Sequence, residues 1–441
     1  MSRSGRPSIK QVRAIQALDS RARPTVSVEV LLSNDIRARA CAPSGASTGS
    51  AEALELRDHE PADFRGDSVR QAVRNVSALI GPALLGLDVT KQGLIDQTMA
   101  DIDGTSNWSR IGGNASVATS LAVCRAAAMS LATPLHRYIA ELSGNKQCSM
   151  PLPMTNILSG GLHTRQGMDI QDFLVLPNGA ASYGEALDWI CRVRAAASEV
   201  VSKRGISTLL ADEGGLSPAC GTIAEAFELM MESFSTAGLQ AGNQVSIAID
   251  MATTRLFDGN DAYRFAREGV TMSGRDIATM LTGFAKKYPL ISVEDACAEN
   301  DWTGWTAVTK AIPDVQLIGD DLFATQPDRI LRGKSLGAAN AVLIKVNQNG
   351  SLTGALKAVA TARQVGFRTI VSARSGETED DFIADLAVGT DAGQIKIGSV
   401  RSSERLSKYN RLAWIADDEG DRLPLRNPWA ADSERLAVGA R

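Results

Sequence analysis

What this chain lacks removes several classes of answer. Its six cysteines, Cys41, Cys124, Cys148, Cys191, Cys220 and Cys297, form no CxxC pair. That excludes a cysteine-based zinc site and a disulfide framework, and each thiol reads as a plain small residue in a reduced protein. No apolar stretch approaches the roughly 18 residues of a membrane span. The first ten residues, MSRSGRPSIK, lack the apolar core of a signal peptide, so a cytoplasmic location with no membrane partner is expected. There is no excess of positive charge: the net charge is −4, so no basic field recruits nucleic acid. What remains is ordinary for a globular protein, with 44% hydrophobic and 22% charged residues. A length of 441 residues suits two domains, or a barrel with an extra domain, and allows a large core without disulfides or metals.

Residues 24–42, PTVSVEVLLSNDIRARACA, alternate apolar and polar on both sides of Ser33, Asn34 and Asp35. This is a hairpin with turn chemistry at its centre. The loop PSGASTG (43–49) follows, and residues 67–142 are mostly helical by pattern, most clearly at 116–132, which has no Pro or Gly. A hairpin followed by helices predicts an α+β N-terminal capping domain over residues 1–142. The rhythm then changes. Short apolar runs recur at helical intervals: STLLAD (207–212), VSIAID (245–250), LISVED (290–295), VQLIGD (315–320), AVLIKV (341–346), RTIVSA (368–373) and GQIKIG (393–398), with DFLVLP (172–177) before them. Several are apolar on both faces, as strands of a buried parallel sheet must be. Helical patterns such as 222–238 and 354–366 complete βα units. The expectation is an α/β fold, an eight-stranded (β/α)8 barrel over residues 143–425, with a tail at 426–441. The sequence from Asp417 has no clear periodicity and is expected to lie on the surface or to be partly disordered.

The ends of these runs carry the chemistry. Each finishes on or near a charged residue: Glu213, Asp250, Glu294, Asp320, Lys345, Arg374 and Lys396. In such a barrel the strand C-termini converge on one face. Asp250, Glu294 and Asp320 come from three successive runs, and three carboxylates side by side call for a cation between them. Hard oxygen ligands without nearby Cys or His favour Mg²⁺ over zinc. Lys345 and Lys396 fall on later strands. Desolvation beside a dication pushes a lysine towards its neutral form, which is a competent base. Such a pairing fits removal of a proton next to a carboxylate, a pattern known from the enolase superfamily. The run ending in Arg374 and Ser375 presents a cation and a hydroxyl together, as an anion site does. RGKS (332–335) is not a phosphate loop, because Asp328 stands where that motif needs Gly.

Along nearly its whole length the chain resembles enolase. PSGASTG (43–49) with EALELRD (52–58), DGTSN (103–107), SLAVCRAAA (120–128), DEGG (212–215), GDDL (319–322), IKVNQNGS (344–351), RSGETEDDFIADL (374–386) and GQIKIG (393–398) resemble the family's signature segments in the family's order. The resemblance implies a second barrel strand that runs in reverse. It implies a homodimer and a small phosphorylated or phosphonylated carboxylate as substrate. It also implies roles. Lys345 takes the α-proton of 2-phosphoglycerate. Asp250, Glu294 and Asp320 hold one Mg²⁺ on the substrate carboxylate, which Lys396 also supports. Ser47 joins a second Mg²⁺ that arrives with the phosphate. Arg374 and Ser375 clamp that phosphate, Gln171 contacts substrate, and Glu213 and Asp172 handle the leaving hydroxyl. His163, in GGLHTRQ, lies in a loop that closes over the substrate.

The pattern also breaks. Ala373 stands where the family has histidine directly before the clamp, and Asp172 where it has glutamate. Ala22, Arg23, Ala296, Cys297 and Ser402 are further departures. The first two fall where the leaving hydroxyl is handled, and retracting a carboxylate by about 1.5 Å is enough to misplace a catalytic contact. Three readings stand: an enolase relative with diverted elimination, of which carboxyphosphonoenolpyruvate synthase of phosphonate pathways is a precedent; an ordinary enolase forming phosphoenolpyruvate; or a non-catalytic binding protein.

Overall fold

The computed structural model describes residues 6–46, 49–164 and 167–429. The chain opens with an antiparallel sheet of β1 (Ile9–Leu18), β2 (Pro24–Leu32) and β3 (Arg37–Cys41), in that order. The expected hairpin is β2 and β3. β1 was not anticipated and pairs along β2, with Val12 opposite Val30. The helix Gly113–Ser130 lies against this sheet and is buried over almost all its length. Ala, Ser and Gly at most of its positions let neighbours approach from every side, which an ordinary amphipathic helix does not permit.

The second unit is a closed barrel of β4 (Leu152–Ser159), β5 (Asp172–Leu176), β6 (Ser246–Asp250), β9 (Leu290–Glu294), β10 (Gln316–Gly319), β11 (Ala341–Ile344), β12 (Arg368–Ser372) and β13 (Gly393–Lys396). A small outer hairpin of β7 (Tyr263–Phe265) and β8 (Val270–Met272) lies between β6 and β9. β5 pairs antiparallel with both β4 and β6 while every other pairing in the ring is parallel. The second barrel strand is therefore reversed, as the resemblance implied.

One expected strand is absent. The run at 207–212 forms no barrel strand; Leu209 and Leu210 are 73% and 42% exposed. Its place in the ring belongs to β4, in PLPMTNILS, which Pro151 and Pro153 concealed. Proline lacks the ladder donor and argues against a strand interior, but it is tolerated at a strand's start. The expectation for the C-terminus is also corrected in part. The helix Ser403–Glu419 runs through Asp417, and beyond it Met150 N–H donates to Pro424 O (3.0 Å) and Arg426 N–H to Met150 O (2.9 Å). Leu425 and Trp429 close the far end of the barrel interior. Residues 430–441 lie outside the described residues.

Strand alternation explains why both faces of these runs are apolar. Leu174, Leu176, Ala248, Ile318, Ala341, Leu343 and Ile370 fill the interior, while Phe173, Val175, Ile247, Ile249, Val342 and Ile344 pack outward under the helices. Side chains two apart share a face. The same parity that turns Leu174 inward turns Asp172 inward. Ala248 fixes Asp250, Ile318 fixes Asp320, and Leu343 fixes Lys345. In the middle of the barrel Gln316 and Gln394 donate to one another (3.1 and 2.8 Å), and Gln316 also reaches Ser292 Oγ (3.0 Å). That places Glu294 and Lys396 inward too. No single helix among the described residues is long and apolar enough to cross a membrane.

The last helix also ties the two units together. Glu419 accepts from Arg137 Nη2 (2.6 Å) and lies 2.9 Å from His136 Nε2, both on the helix Leu135–Ser143. The Arg137 hydrogen bond holds the Glu419 carboxyl down to about 2, from 4.5. A depressed carboxyl contributes stability above its unfolded value and loses it as pH falls towards its folded value. Urea melts taken from pH 5 down to pH 2.5 are therefore expected to lose stability more steeply in the native protein than in a Glu419→Gln variant. Parallel curves would show that this contact contributes nothing.

Candidate active site

At the barrel mouth, three carboxylates face two lysines. Lys396 Nζ donates to Asp250 Oδ2 and Glu294 Oε2, both at 2.7 Å. Lys345 pairs with Asp320, whose other oxygen accepts from Gln348 Nε2 (2.8 Å). Gln171 Nε2 donates to Asp250 Oδ2 (3.2 Å). Burial, and then the charge of Asp250, push the Glu294 carboxyl well above its usual range. Burial works in the same direction on Asp320, but Lys345 and Arg374 outweigh it and hold that carboxyl low. For Lys345 the protein groups alone favour the charged form, and the neutral amine expected beside a dication depends on that ion's charge. Burial does act to lower it, yet the adjoining Asp320 carboxylate prevails, and the ammonium is held above its ordinary value.

A second group sits beside the first. His163 Nε2 lies 3.8 Å from Asp172 Oδ2 and 3.7 Å from Glu213 Oε1. Asp172 opens the reversed strand β5, so a strand start brings it to the face where its neighbours bring their ends. Glu213 was expected at a strand end and instead enters from the irregular loop after 207–212. Asn156 Nδ2 donates to its carboxylate (3.0 Å), and its backbone carbonyl accepts from Ser399 N–H (2.8 Å). A bulge in β4 between Asn156 and Leu158 reverses the parity, sending Leu158 outward and Ser159 inward, where Ser159 Oγ donates to Asp172 Oδ1 (2.6 Å). Burial and the neighbouring Glu213 push the Asp172 carboxyl well above its usual range. Glu213 is also raised by burial, but His163, Arg405, Lys396 and Lys345 outweigh that and hold it low. Two carboxyls driven apart in this way suit a proton donor and a proton acceptor.

The third part is the segment after β12. Arg374 donates to Glu52 Oε2 (2.9 Å) and Asn347 Oδ1 (3.0 Å), and Ser375 Oγ accepts from Ala46 N–H (2.6 Å). Ala46 and Glu52 of the N-terminal unit thus lie against the barrel mouth. Beneath it, fully buried Arg405 donates to the carbonyls of Arg374 (2.6 Å), Ser375 (2.6 Å) and Ile397 (3.1 Å). Ala373 faces the same cavity as His163, Glu213 and Lys396.

Comparison with protein families matches residues 9–139 to the enolase N-terminal domain and residues 147–427 to the enolase C-terminal TIM barrel domain. The chain belongs to the enolase family. It is accordingly an enolase-superfamily enzyme, and the site just described lies where the enolase barrel gathers its strand ends. Enolases generally use Mg²⁺, and the donor set here fits it: three buried carboxylates supply hard oxygens, and Glu294 Oε1 is buried with no hydrogen-bond partner among the described residues. A second acidic group, Asp295, Asp320 and Asp321, shares one of these residues. Asp295 already accepts the N–H groups of Asp320 (2.9 Å) and Asp321 (3.0 Å), which leaves it less able to serve as a ligand. Ser47 lies outside the described residues.

The structure brings together Lys345, Lys396, Asp250, Glu294, Asp320, Asp172, Glu213, His163, Gln171, Arg374 and Ser375. Sequence reasoning missed their supports. Ser159 orients Asp172, Asn156 holds Glu213, Gln348 holds Asp320, and Glu52 pairs with Arg374. Glu52 and Gln348 fall inside segments that resemble the family's, which was the one available signal for them.

Proposed function

We propose that this enolase removes the proton next to the carboxylate of 2-phosphoglycerate or a close analogue, with Mg²⁺ bound, and that its elimination step is altered. The observation that carries the reading is the facing set of Lys345 and Lys396 against Asp250, Glu294 and Asp320. Mg²⁺ held by these three carboxylates supplies positive charge to the substrate carboxylate. Lys345 Nζ receives the α-proton and Lys396 steadies the same carboxylate. Arg374 and Ser375 hold the phosphate, with Gln171 at the edge of the cavity. Asp172 donates the proton with which the hydroxyl departs as water, and Glu213 accepts a hydrogen bond from that hydroxyl, under His163. The methyl group of Ala373 offers no proton, and it leaves space for a second substrate group. A phosphonoformyl-transferring synthase related to carboxyphosphonoenolpyruvate synthase fits that description.

A second reading, ordinary dehydration to phosphoenolpyruvate, is favoured by one observation: Asp172 and Glu213 are both in place with their protonation driven apart. The third reading, a binding protein, has the intact lysines and carboxylates against it. We also propose a cytoplasmic homodimer, as the resemblance implies. The deciding experiment mixes protein, Mg²⁺ and 2-phosphoglycerate, follows phosphoenolpyruvate by ultraviolet absorbance, and follows α-deuterium exchange by NMR. Exchange with little product is expected. Rapid product would favour the second reading, and neither signal the third.

A further inference from the structure

Beside the reaction cavity lies a second pocket of about 500 Å³, and Gln171 lines both. That volume is typical of small-molecule sites. Met168, Met251, Leu256 and Phe257 make part of its wall apolar, and Arg255 and Arg264 bring two guanidinium groups to it. Local structure sets this pairing. Arg255 ends the short turn Thr253–Arg255 after β6. Arg264 is the middle residue of β7, where its neighbours Tyr263 and Phe265 are buried and alternation turns it outward. Arg264 N–H donates to Leu256 O (2.8 Å), which holds the two segments together.

Neither guanidinium has a hydrogen bond or an ion pair among the described residues. The carboxylates at this pocket are already engaged by backbone donors. Asp169 accepts from Arg267 N–H (2.9 Å) and Glu268 N–H (2.9 Å), and Asp258 accepts from Asn260 N–H (2.8 Å). Among the described residues the pocket is therefore lined by two exposed arginines without a side-chain partner, next to an apolar wall. Guanidinium forks match the oxygens of carboxylates and phosphoryl groups, and the wall suits an apolar substituent.

We infer that this pocket binds a small organic anion, a phosphonate, phosphate ester or carboxylate that bears an apolar group. Its occupant sits next to the reaction cavity, separated from Asp250 by Gln171. The site goes beyond the reaction proposed above and requires none of its steps. Phenylphosphonate is the probe, titrated into the full chain by calorimetry and by ³¹P NMR, with thermal melts to confirm folding. Native protein is expected to bind two equivalents, one here and one at the Arg374 clamp. An Arg255→Ala/Arg264→Ala double variant should lose one equivalent, or bind it about tenfold or more weakly, and should keep the other. An Arg374→Gln variant should show the opposite loss. If the double variant binds as the native protein does, or if native protein binds a single equivalent that only Arg374→Gln removes, the inference is overturned. If Arg374→Gln keeps both equivalents while the double variant loses one, this site stands and the clamp assignment fails instead.

Discussion

Replacing Lys345 by alanine is expected to stop exchange of the α-proton of 2-phosphoglycerate, with a fall of about 10²–10⁴-fold, the range general bases contribute. Lys345 Nζ pairs with Asp320 at the mouth, and its neutral amine is the proposed proton acceptor. Lys396 is the poorer proton acceptor, because it donates to two carboxylates, Asp250 and Glu294, at 2.7 Å, and they favour its charged form. The measurement is the rate of deuterium incorporation by NMR at saturating Mg²⁺, with substrate affinity measured in parallel. Retained affinity with lost exchange would assign Lys345 to the proton transfer. Exchange that persists within a few-fold of native would move the base elsewhere, and the lysine would then serve only to balance the charge of Asp320.

The second large effect is expected from Ala373→His. The Ala373 N–H donates to Lys396 O at 2.8 Å, so the backbone here is fixed by the adjoining strand, and the residue lines the cavity. An imidazole there adds a proton donor beside a group that otherwise relies on Asp172 and Glu213. Product formation from 2-phosphoglycerate is expected to rise by about 10–100-fold, at the low end of what a positioned acid or base supplies. The exchange rate should change little, since Lys345 is untouched. The two rates, measured in one sample, separate the steps. Unchanged product formation would mean that the missing imidazole does not limit the elimination, and the diverted reading would lose its main support.

Much of this was legible before any coordinates, for a physical reason. A buried parallel strand must be apolar on both faces, so a charged residue at its end stands out, and parity alone fixes which way it points. Asp250, Glu294, Asp320, Lys345, Arg374 and Lys396 were all found this way. Where that rule did not apply, the reading failed. The run at 207–212 has a strand's composition but pairs with the nearby residues 215–217, where Ser217 N–H donates to Leu209 O (2.9 Å), and not with a barrel strand. β4 has a partner, but its prolines disguise it. Glu213 was assigned to a strand end because of that false strand. The supporting residues Ser159, Asn156, Glu52 and Gln348 are single polar side chains, and their importance comes from contacts across the fold that no spacing along the chain encodes. The parity of Ser159 depends on a bulge, which has no signature in NILSGG.

The reversed strand has a mechanical consequence. β4 and β5 are antiparallel, so the ends they present at the mouth are the ends joined by the loop 160–171. Ser159 and Asp172 are register partners and are hydrogen-bonded to each other, and with the bond from Gly160 N–H to Gln171 O (2.6 Å) they close the base of the loop. Gly160, just above it, has no room for a Cβ, which would meet Ile170 O at 2.5 Å. The carboxyl proposed to act on substrate is thus the same side chain that bonds Ser159 at the base of the loop carrying His163. Lengthening Asp172 by one carbon would move the oxygen that Ser159 Oγ now reaches at 2.6 Å. The proposed chemistry and the anchoring of the loop at this corner of the barrel are coupled through it, so a change selected for one alters the other.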